Sequence, residues 1–417
     1  MKNDATVPTS ERLNLFLGTW GPKGYPALVG LTLLIYVYSL QWRVGFAATG
    51  VDNHAASALY LVNFLFFIGA SAGGIVVGAL ACGLEMGRFR LLARIAEQVV
   101  ISCLALATVF LVLLGRRQPE PFWHFFSGAL SSSLLIWDWA IITSYLAIAL
   151  ALGYFVTRPD LVRCVVEMPV GQRLSRLLAL GRAALSPDTV ARERALLRAL
   201  TLIFIPAAVL LHAIPDSILG LSEVHHGWRS ALIAPVFMVS AVVSGLGLVI
   251  FAATLSRGFL RFKIGEEVIR GLGRVLFFSI PVLAYGLFAE MLAVASASDS
   301  LGTHIFSEML FGLYAPLFWF GLFGGLMVPF LLLVLRGACG AGGIGLAAFL
   351  VTFGVLAQRW NIVIPPLLGH AHLPYAAGGY SPPWPELSLT VGTYAVGFLV
   401  YFLLARVFPP MKVEEHR

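Results

Sequence analysis

A few ionisable side chains lie inside long apolar runs, and they are the residues with which this chain could do chemistry. Asp138 stands in Ile136-Trp137-Asp138-Trp139, and His212 and Asp216 are spaced i, i+4, which puts them near one face of a helix. Glu290 lies in a similar run, and His124 and Arg359 lie at the outer ends of such runs. A charge at membrane depth is costly, so these residues indicate a functional site.

Carboxylates and imidazoles in an apolar wall suit a lipophilic ligand that exchanges protons, because burial moves both groups toward a neutral pKa. A quinone meets this description, since its two oxygens need hydrogen bonds and protons while its ring needs an apolar lining. Asp138 could also be a helix–helix hydrogen-bonding residue and His212 a satisfied interior histidine, but the shared depth of these groups favours a pocket. We predict that Asp138, His212 and Asp216 exchange protons. The predicted binding set is His124, Asp138, Tyr145, His212, Asp216, Glu290 and Arg359.

Metal and haem sites are not expected in this chain. A membrane haem b generally needs two facing histidines, and only His212 lies deep in an apolar run. The four cysteines show no C-x-x-C spacing and have apolar neighbours, so we expect neither an iron–sulfur cluster nor a zinc site; they are Cys82, Cys103, Cys164 and Cys339.

The composition limits the elements that can position these residues. Of the 417 residues, 59% are hydrophobic and 12% are charged, whereas a soluble domain has about 25% charged residues. A soluble enzyme, a disordered chain and a secreted disulfide scaffold are therefore excluded. The net charge of +7 is typical of membrane topology rather than of nucleic-acid binding. The sequence predicts an all-α polytopic membrane protein.

Apolar runs long enough to cross a bilayer recur along the whole chain. They predict about ten transmembrane helices, at 25–42, 57–83, 93–114, 129–156, 197–219, 229–256, 272–298, 308–335, 338–358 and 386–408. The ninth opens with a glycine-rich run, and glycines of this kind let membrane helices approach closely.

The distribution of basic residues predicts the orientation. With ten spans, 23 of the 28 Lys and Arg residues fall on the side that holds both termini, so both termini are expected in the cytoplasm. The predicted organisation begins with a cytoplasmic segment without a cleaved signal (1–24) and a first half of four spans (25–156). A basic linker (157–196) leads to a second half of six spans (197–408) and a cytoplasmic tail (409–417). The linker could lie on anionic lipid as an amphipathic helix or dock a partner. The loop 359–385 is rich in Pro, Gly and aromatic residues, and we expect it to dock another protein outside.

Four stretches of the sequence have a pattern in common with a known family: Leu211-His212-Ala213-Ile214-Pro215-Asp216-Ser217, Gly227-Trp228-Arg229-Ser230-Ala231-Leu232, Leu135-Ile136-Trp137-Asp138 and Arg359-Trp360-Asn361-Ile362-Val363-Ile364-Pro365. They resemble the NrfD/PsrC family of quinone-interacting membrane subunits. The ten-span form is similar to the branch that holds DsrP, HmcC and their counterpart in alternative complex three. The resemblance implies two four-helix bundles with flanking helices, no haem or cluster in this chain, and a quinone site toward the periplasm. It also implies that Asp138 and His124 take the carboxylate and histidine positions of that site, with Asp216 near a second acidic position.

The resemblance further implies a docked periplasmic four-cluster ferredoxin-like iron–sulfur subunit, with a molybdopterin or multihaem cytochrome c subunit beyond it. The expected function is that of the quinone-reactive anchor of a respiratory oxidoreductase in the bacterial inner membrane, using menaquinone or ubiquinone and catalysing at most the quinone half-reaction. A secondary transporter is an alternative, although its polar groups would lie near the midplane in symmetric halves. Another alternative is a scaffold or proton conduit, for which Ser71, Glu97 and Ser244 would have to form a path across the inner half.

Overall fold

In a computed structural model, the described residues are 36, 58–71, 73–74, 77, 90–115, 140–155, 192, 195–196, 199–200, 202–203, 232–259, 264–296, 300–369 and 380–407. They are helical almost throughout, and none of them lies in a strand. A backbone in hydrocarbon must satisfy its own hydrogen bonds, which helices do. The predicted all-α polytopic membrane class is thus confirmed.

The described helices follow one another along the chain. They are α1 (Ala58–Ser71), α2 (Arg90–Gly115), α3 (Ala140–Phe155), α4 (Ile233–Phe259), α5 (Glu266–Ser296), α6 (Ser300–Phe311), α7 (Ala315–Trp319), a π-helix (Phe320–Met327), α8 (Val328–Val334), α9 (Arg336–Gly369) and α10 (Trp384–Val407). Within the described part of the chain, six stretches are long and apolar enough to span a membrane, and α1 and α3 are shorter apolar helices.

Two predicted boundaries differ from the structure. The run 308–335 is not one helix: it begins in α6, turns at 312–314 and continues through α7, the π-helix and α8. The predicted outer loop starts too early, because α9 continues to Gly369. Apolar residues after Arg359 extend the helix, and a single arginine does not end it when its charge has partners inside the protein.

The last helix packs mainly against the first ones. α10 lies along α2 and also contacts α1. The Tyr394 hydroxyl of α10 donates to Asn63 Oδ1 of α1, and its ring meets Phe67 and Phe110 edge-on. α4 and α9 pack together and both contact α1, while α5, the π-helix and α8 pack onto this pair. The division at 157–196 is therefore not a division in packing, because α10 joins the helices of the predicted first half.

Two glycine pairs lie at close helix crossings among the described residues. A Cβ on Gly73 would overlap the backbone of Gly245 in α4, and a Cβ on Gly354 of α9 would overlap the backbone of Gly325 in the π-helix, both well inside 3.0 Å. Backbone atoms cannot rotate away from such an overlap. Only glycine, which has no Cβ, allows the backbones to approach this closely at these positions.

The glycine-rich run at the start of α9 has another role. Gly340 has φ 52° and ψ −163°, so it breaks the helix near its start in a conformation that favours glycine. The next residue donates its N–H to the Glu266 side chain, with 3.1 Å between Ala341 N and Oε1. This carboxylate caps the helix that follows the break. Glu266 also pairs with Arg270, one turn later, at 3.5 Å.

Candidate functional site

Arg359 is buried where α9 meets α4 and α1. Its side chain is 2% exposed, and its Cζ lies 3.6 Å from the centroid of the Phe237 ring. Nη2 donates to Ser240 Oγ at 2.8 Å and to the Phe237 carbonyl at 3.1 Å. A Cβ on Gly69 of α1 would lie 3.5 Å from the same nitrogen. The guanidinium thus joins three helices inside the protein.

Glu290 lies in a cleft between α4, α5, α6, α7, the π-helix and α9. We name this space the Glu290 cleft. It is an open cleft with about 920 Å³ of atom-free space, its open side included. Three lining residues are polar, namely Glu290, Gln358 and Asn361. The apolar lining includes Phe237, Met291, Phe306, Met309, Phe318 and Leu322.

Two amide oxygens in this cleft accept no hydrogen bond from the described residues. They are Gln358 Oε1 and Asn361 Oδ1, and both atoms are buried. Their i, i+3 spacing puts both side chains on one face of α9. A buried polar atom without a partner costs about 1–3 kcal/mol. Because both atoms are buried, they lie within the wall of the cleft rather than on its accessible surface.

Tyr145 lies in a separate cluster, formed by α1, α2 and α3. It is 1% exposed and interacts with the Ser71 side chain and with Glu97. Ser71 Oγ donates to the Ile68 carbonyl at 2.6 Å, so its lone pairs are left to accept. Ser71 and Glu97 of the proposed inner path thus come together at Tyr145, whereas Ser244 donates to the Ala241 carbonyl of its own helix.

Four predicted site residues lie outside the described residues: His124, Asp138, His212 and Asp216. Their roles stay predictions. Of the remaining three, Glu290 and Arg359 both lie close to Phe237. This residue lines the Glu290 cleft, and the Arg359 guanidinium lies over its ring. Tyr145 does not line that cleft.

A hydrogen-bonded group joins the start of α10 to the start of α1. The Leu59 N–H donates to Glu386 Oε1 at 3.2 Å, and the Tyr380 hydroxyl donates to Glu386 Oε2 at 2.6 Å. The Tyr380 ring contacts Trp360 of α9, with 5.7 Å between ring centroids. Burial, followed by the Glu386 charge, raises the pKa of Tyr380. Glu386 caps the N-terminus of α1, where the helix dipole favours a negative charge.

Sequence reasoning missed Gln358, Asn361 and the capping role of Glu386. The amides carry no charge, and neutral polar residues are common enough in membrane helices to draw no notice. Their signal was the i, i+3 spacing beside Arg359 in an otherwise apolar run. The partner of Glu386 is more than 300 residues away in sequence, so no local pattern could have shown it.

Within the part of the chain that the structure describes, no group of three or more His, Cys, Asp or Glu side chains could hold a metal ion. The fold and the cleft define a multi-pass α-helical membrane protein with an apolar, sparsely polar cleft. The chain belongs to the NrfD family: residues 50–369 match the family described as "Polysulphide reductase, NrfD".

Relatives are similar to this chain over nearly its whole length. A putative membrane subunit of dimethyl sulfoxide reductase from Halobacterium salinarum is 31% identical, covering 98% of this chain and 96% of its own length. A selenate reductase subunit from Mesobacillus selenatarsenatis is 25% identical over 94% and 95%. The Hdr-like menaquinol oxidoreductase integral membrane subunit of Archaeoglobus fulgidus is 24% identical over 93% and 94%.

Proposed function

We propose that this chain is the quinone-interacting membrane subunit of a multisubunit respiratory oxidoreductase. The observation that carries the proposal is the full-length similarity to subunits of reductases, one of which is named a menaquinol oxidoreductase. The Glu290 cleft supports it, because an apolar wall with a few polar groups suits a lipophilic ring. In the proposal the chain lies in the cytoplasmic membrane with both termini in the cytoplasm, because most of its Lys and Arg residues fall on the side of the termini.

Oxidation of a quinol releases two protons and two electrons. In the proposal, Asp138, His212 and Asp216 take up these protons, while His124, Glu290 and Arg359 belong to the binding set and Tyr145, in its separate cluster, does not share the Glu290 cleft. A buried carboxylate or imidazole suits this role because its pKa can be moved toward the working pH. The route from Ser71 through Tyr145 to Glu97 would carry protons if turnover is coupled to translocation.

The electrons leave this chain for a periplasmic four-cluster ferredoxin-like iron–sulfur subunit, and then for a molybdopterin or multihaem cytochrome c subunit. Menaquinone or ubiquinone is the substrate, and the name of the Archaeoglobus fulgidus relative supports menaquinone. Purification of the complex through a tag on this chain tests the assignment. We expect extractable quinone and iron–sulfur absorbance from a partner; the chain alone, without quinone or a redox partner, would contradict it.

The role of Asp138 is tested in the same complex. Asp138→Asn removes a proton acceptor and keeps the size of the side chain, so quinol oxidation should fall at least about 100-fold, as for loss of a general base. Ser144→Ala is the matched control, since Ser144 is exposed on α3 and donates only to the Ala140 carbonyl. Normal turnover in the Asn variant, with the complex intact, would remove Asp138 from the mechanism.

A further inference from the structure

A second open space lies between the end of α4 and the start of α9, and we name it the Gly342 groove. It has about 590 Å³ of atom-free space, its open side included, and it shares no lining residue with the Glu290 cleft. One face of each helix lines it, within 251–258 of α4 and 342–349 of α9. The one polar lining side chain, Thr254, donates its hydroxyl to the Ile250 carbonyl at 2.8 Å. The groove is therefore an apolar surface.

The groove is open because glycines stand on both of its sides. α4 and α9 are in close contact at Gly345, where a Cβ would lie 2.7 Å from Thr254 Cγ2. Nearer the helix ends, a Cβ on Gly258 or Gly342 would meet no described atom within 4 Å. Phe251 and Phe349 bound the groove on the side of the membrane interior, with 5.2 Å between their ring centroids. The groove thus opens toward the membrane surface.

The membrane determines what fills such a groove. Gly258 and Gly342 are exposed, and Leu346 is about half exposed; an exposed apolar surface on a membrane helix faces lipid. A water molecule needs two to four polar partners, which this lining does not offer, and an empty gap would forfeit dispersion contacts. The lined face of α4 is about 10 Å long at 1.5 Å per residue. An acyl chain meets these conditions.

A basic side chain stands at the open end of the groove. Arg257 lies in the last turn of α4, next to Gly258, and it is exposed. Its guanidinium makes no hydrogen bond or ion pair with the other described residues, whereas Arg270 of α5 pairs with a glutamate. In the sequence, Arg261 and Lys263 follow Arg257 before any acidic residue. By the predicted orientation this end faces the cytoplasm, where the membrane leaflet carries anionic lipids.

We propose that the Gly342 groove binds an anionic phospholipid, with one acyl chain between α4 and α9 and the phosphate paired with Arg257. A guanidinium and a phosphate form charge-assisted hydrogen bonds, which are stronger than neutral ones. The groove therefore selects for an acyl chain, and the arginine selects for a negatively charged headgroup. The inference does not depend on the proposed function, because the two spaces are lined by different residues.

Photolabelling of the full chain tests the proposal. The chain is reconstituted in phosphatidylcholine nanodiscs that contain a small fraction of a probe lipid with a diazirine on one acyl chain, either phosphatidylglycerol or phosphatidylcholine. The phosphatidylglycerol probe should label peptides that contain 251–258 and 342–349. It should reach half-maximal labelling at an about fivefold lower mole fraction than the phosphatidylcholine probe, which is the effect of one basic residue near the membrane surface.

Two variants separate the headgroup from the acyl chain. Arg257→Gln should remove most of the difference between the probes and leave labelling by the phosphatidylcholine probe unchanged. Gly342→Leu places a side chain in the open space of the groove, so labelling of both peptides should be largely lost with either probe. Arg274→Gln is the matched control for charge, because Arg274 is exposed on α5 and does not line the groove; it should keep the difference between the probes.

Thermal unfolding in the same nanodiscs reports whether each variant is folded, and Arg257→Gln, which changes an exposed side chain, keeps the test valid if Gly342→Leu unfolds. Equal labelling by the two probes in the wild type would show an ordinary annular lipid and overturn the inference. Equal effects of Arg257→Gln and Arg274→Gln, or unchanged labelling of a folded Gly342→Leu variant, would also overturn it. Labelling confined to other peptides would do the same, as expected if another segment of this chain covers the groove.

Discussion

The contact between Gly354 of α9 and Gly325 of the π-helix predicts that Gly354→Ala will destabilise the protein. The new Cβ would lie within 3.0 Å of the Gly325 backbone, and neither side can rotate away. To reach the separation of ordinary contacts, the two helices must part by about 1 Å, and a gap of that size forfeits about a quarter to a half of the dispersion energy of each atom pair that it opens. Overpacking of this kind costs about 1–3 kcal/mol.

The displacement also reaches the Glu290 cleft. Gln358 follows Gly354 by one helical turn on α9, and Leu322 of the π-helix lines the opposing wall. Moving α9 away from the π-helix therefore widens the cleft. We expect Gly354→Ala to lower the amount of quinone that co-purifies with the complex together with the Tm.

Thermal unfolding of the purified chain in detergent measures the effect. Gly342→Ala is the matched control on the same helix, because a Cβ there meets nothing within 4 Å; its Tm should equal or slightly exceed that of the wild type, since alanine favours the helix. The reasoning is refuted if Gly354→Ala and Gly342→Ala have the same Tm.

Two further variants test the polar contacts. Arg359→Lys keeps the charge but cannot make both Nη2 hydrogen bonds while lying flat on a ring, so the free energy of unfolding should fall by about 2 kcal/mol. Arg270→Lys, in an exposed ion pair, is the control and should leave the free energy of unfolding almost unchanged. Equal Tm values for the two variants would contradict the role given to Arg359. Tyr380→Phe removes the hydrogen bond to Glu386 and should cost about 1 kcal/mol at neutral pH. Because the pKa of Tyr380 is raised, the folded wild type holds its phenol proton above pH ~10, where the unfolded chain releases it, so stability falls as the pH rises. Unfolding from pH 9 to 11 should show a smaller fall in the Phe variant, and parallel curves would show that Tyr380 does not titrate in this way.

Much of the fold could be predicted because hydrocarbon permits few structures. The runs around 93–114, 229–256 and 386–408 are confirmed as helices with ends shifted by a few residues, since a long apolar sequence in a bilayer must be helical. The ends of the helices were less predictable where a polar residue inside the helix makes hydrogen bonds to other helices. Arg359 is the example, because its hydrogen bonds to α4 allow α9 to continue beyond it.

The candidate site could be predicted only in part. Charged residues draw attention because their desolvation is costly, and this identified Glu290 and Arg359. Gln358 and Asn361 have a smaller desolvation penalty, so composition alone did not separate them from ordinary helix residues. Tyr145 was assigned to the same set as Glu290, but the structure places it with Ser71 and Glu97, because a residue's depth in the membrane does not specify which helix faces it.

The sequence by itself determined that the chain spans a membrane as helices, which parts are apolar enough to do so, and that few residues could carry charge there. These properties depend on composition and on the spacing along one helix. The tertiary structure decided that α10 packs with α1 and α2, that Arg359 joins three helices, and that two amides face the Glu290 cleft. Such choices depend on shape matching between segments far apart in sequence, as when Gly354 meets Gly325 or Glu386 caps α1. In lipid, where apolar surfaces are equally well solvated everywhere, close packing and polar contacts select the neighbours.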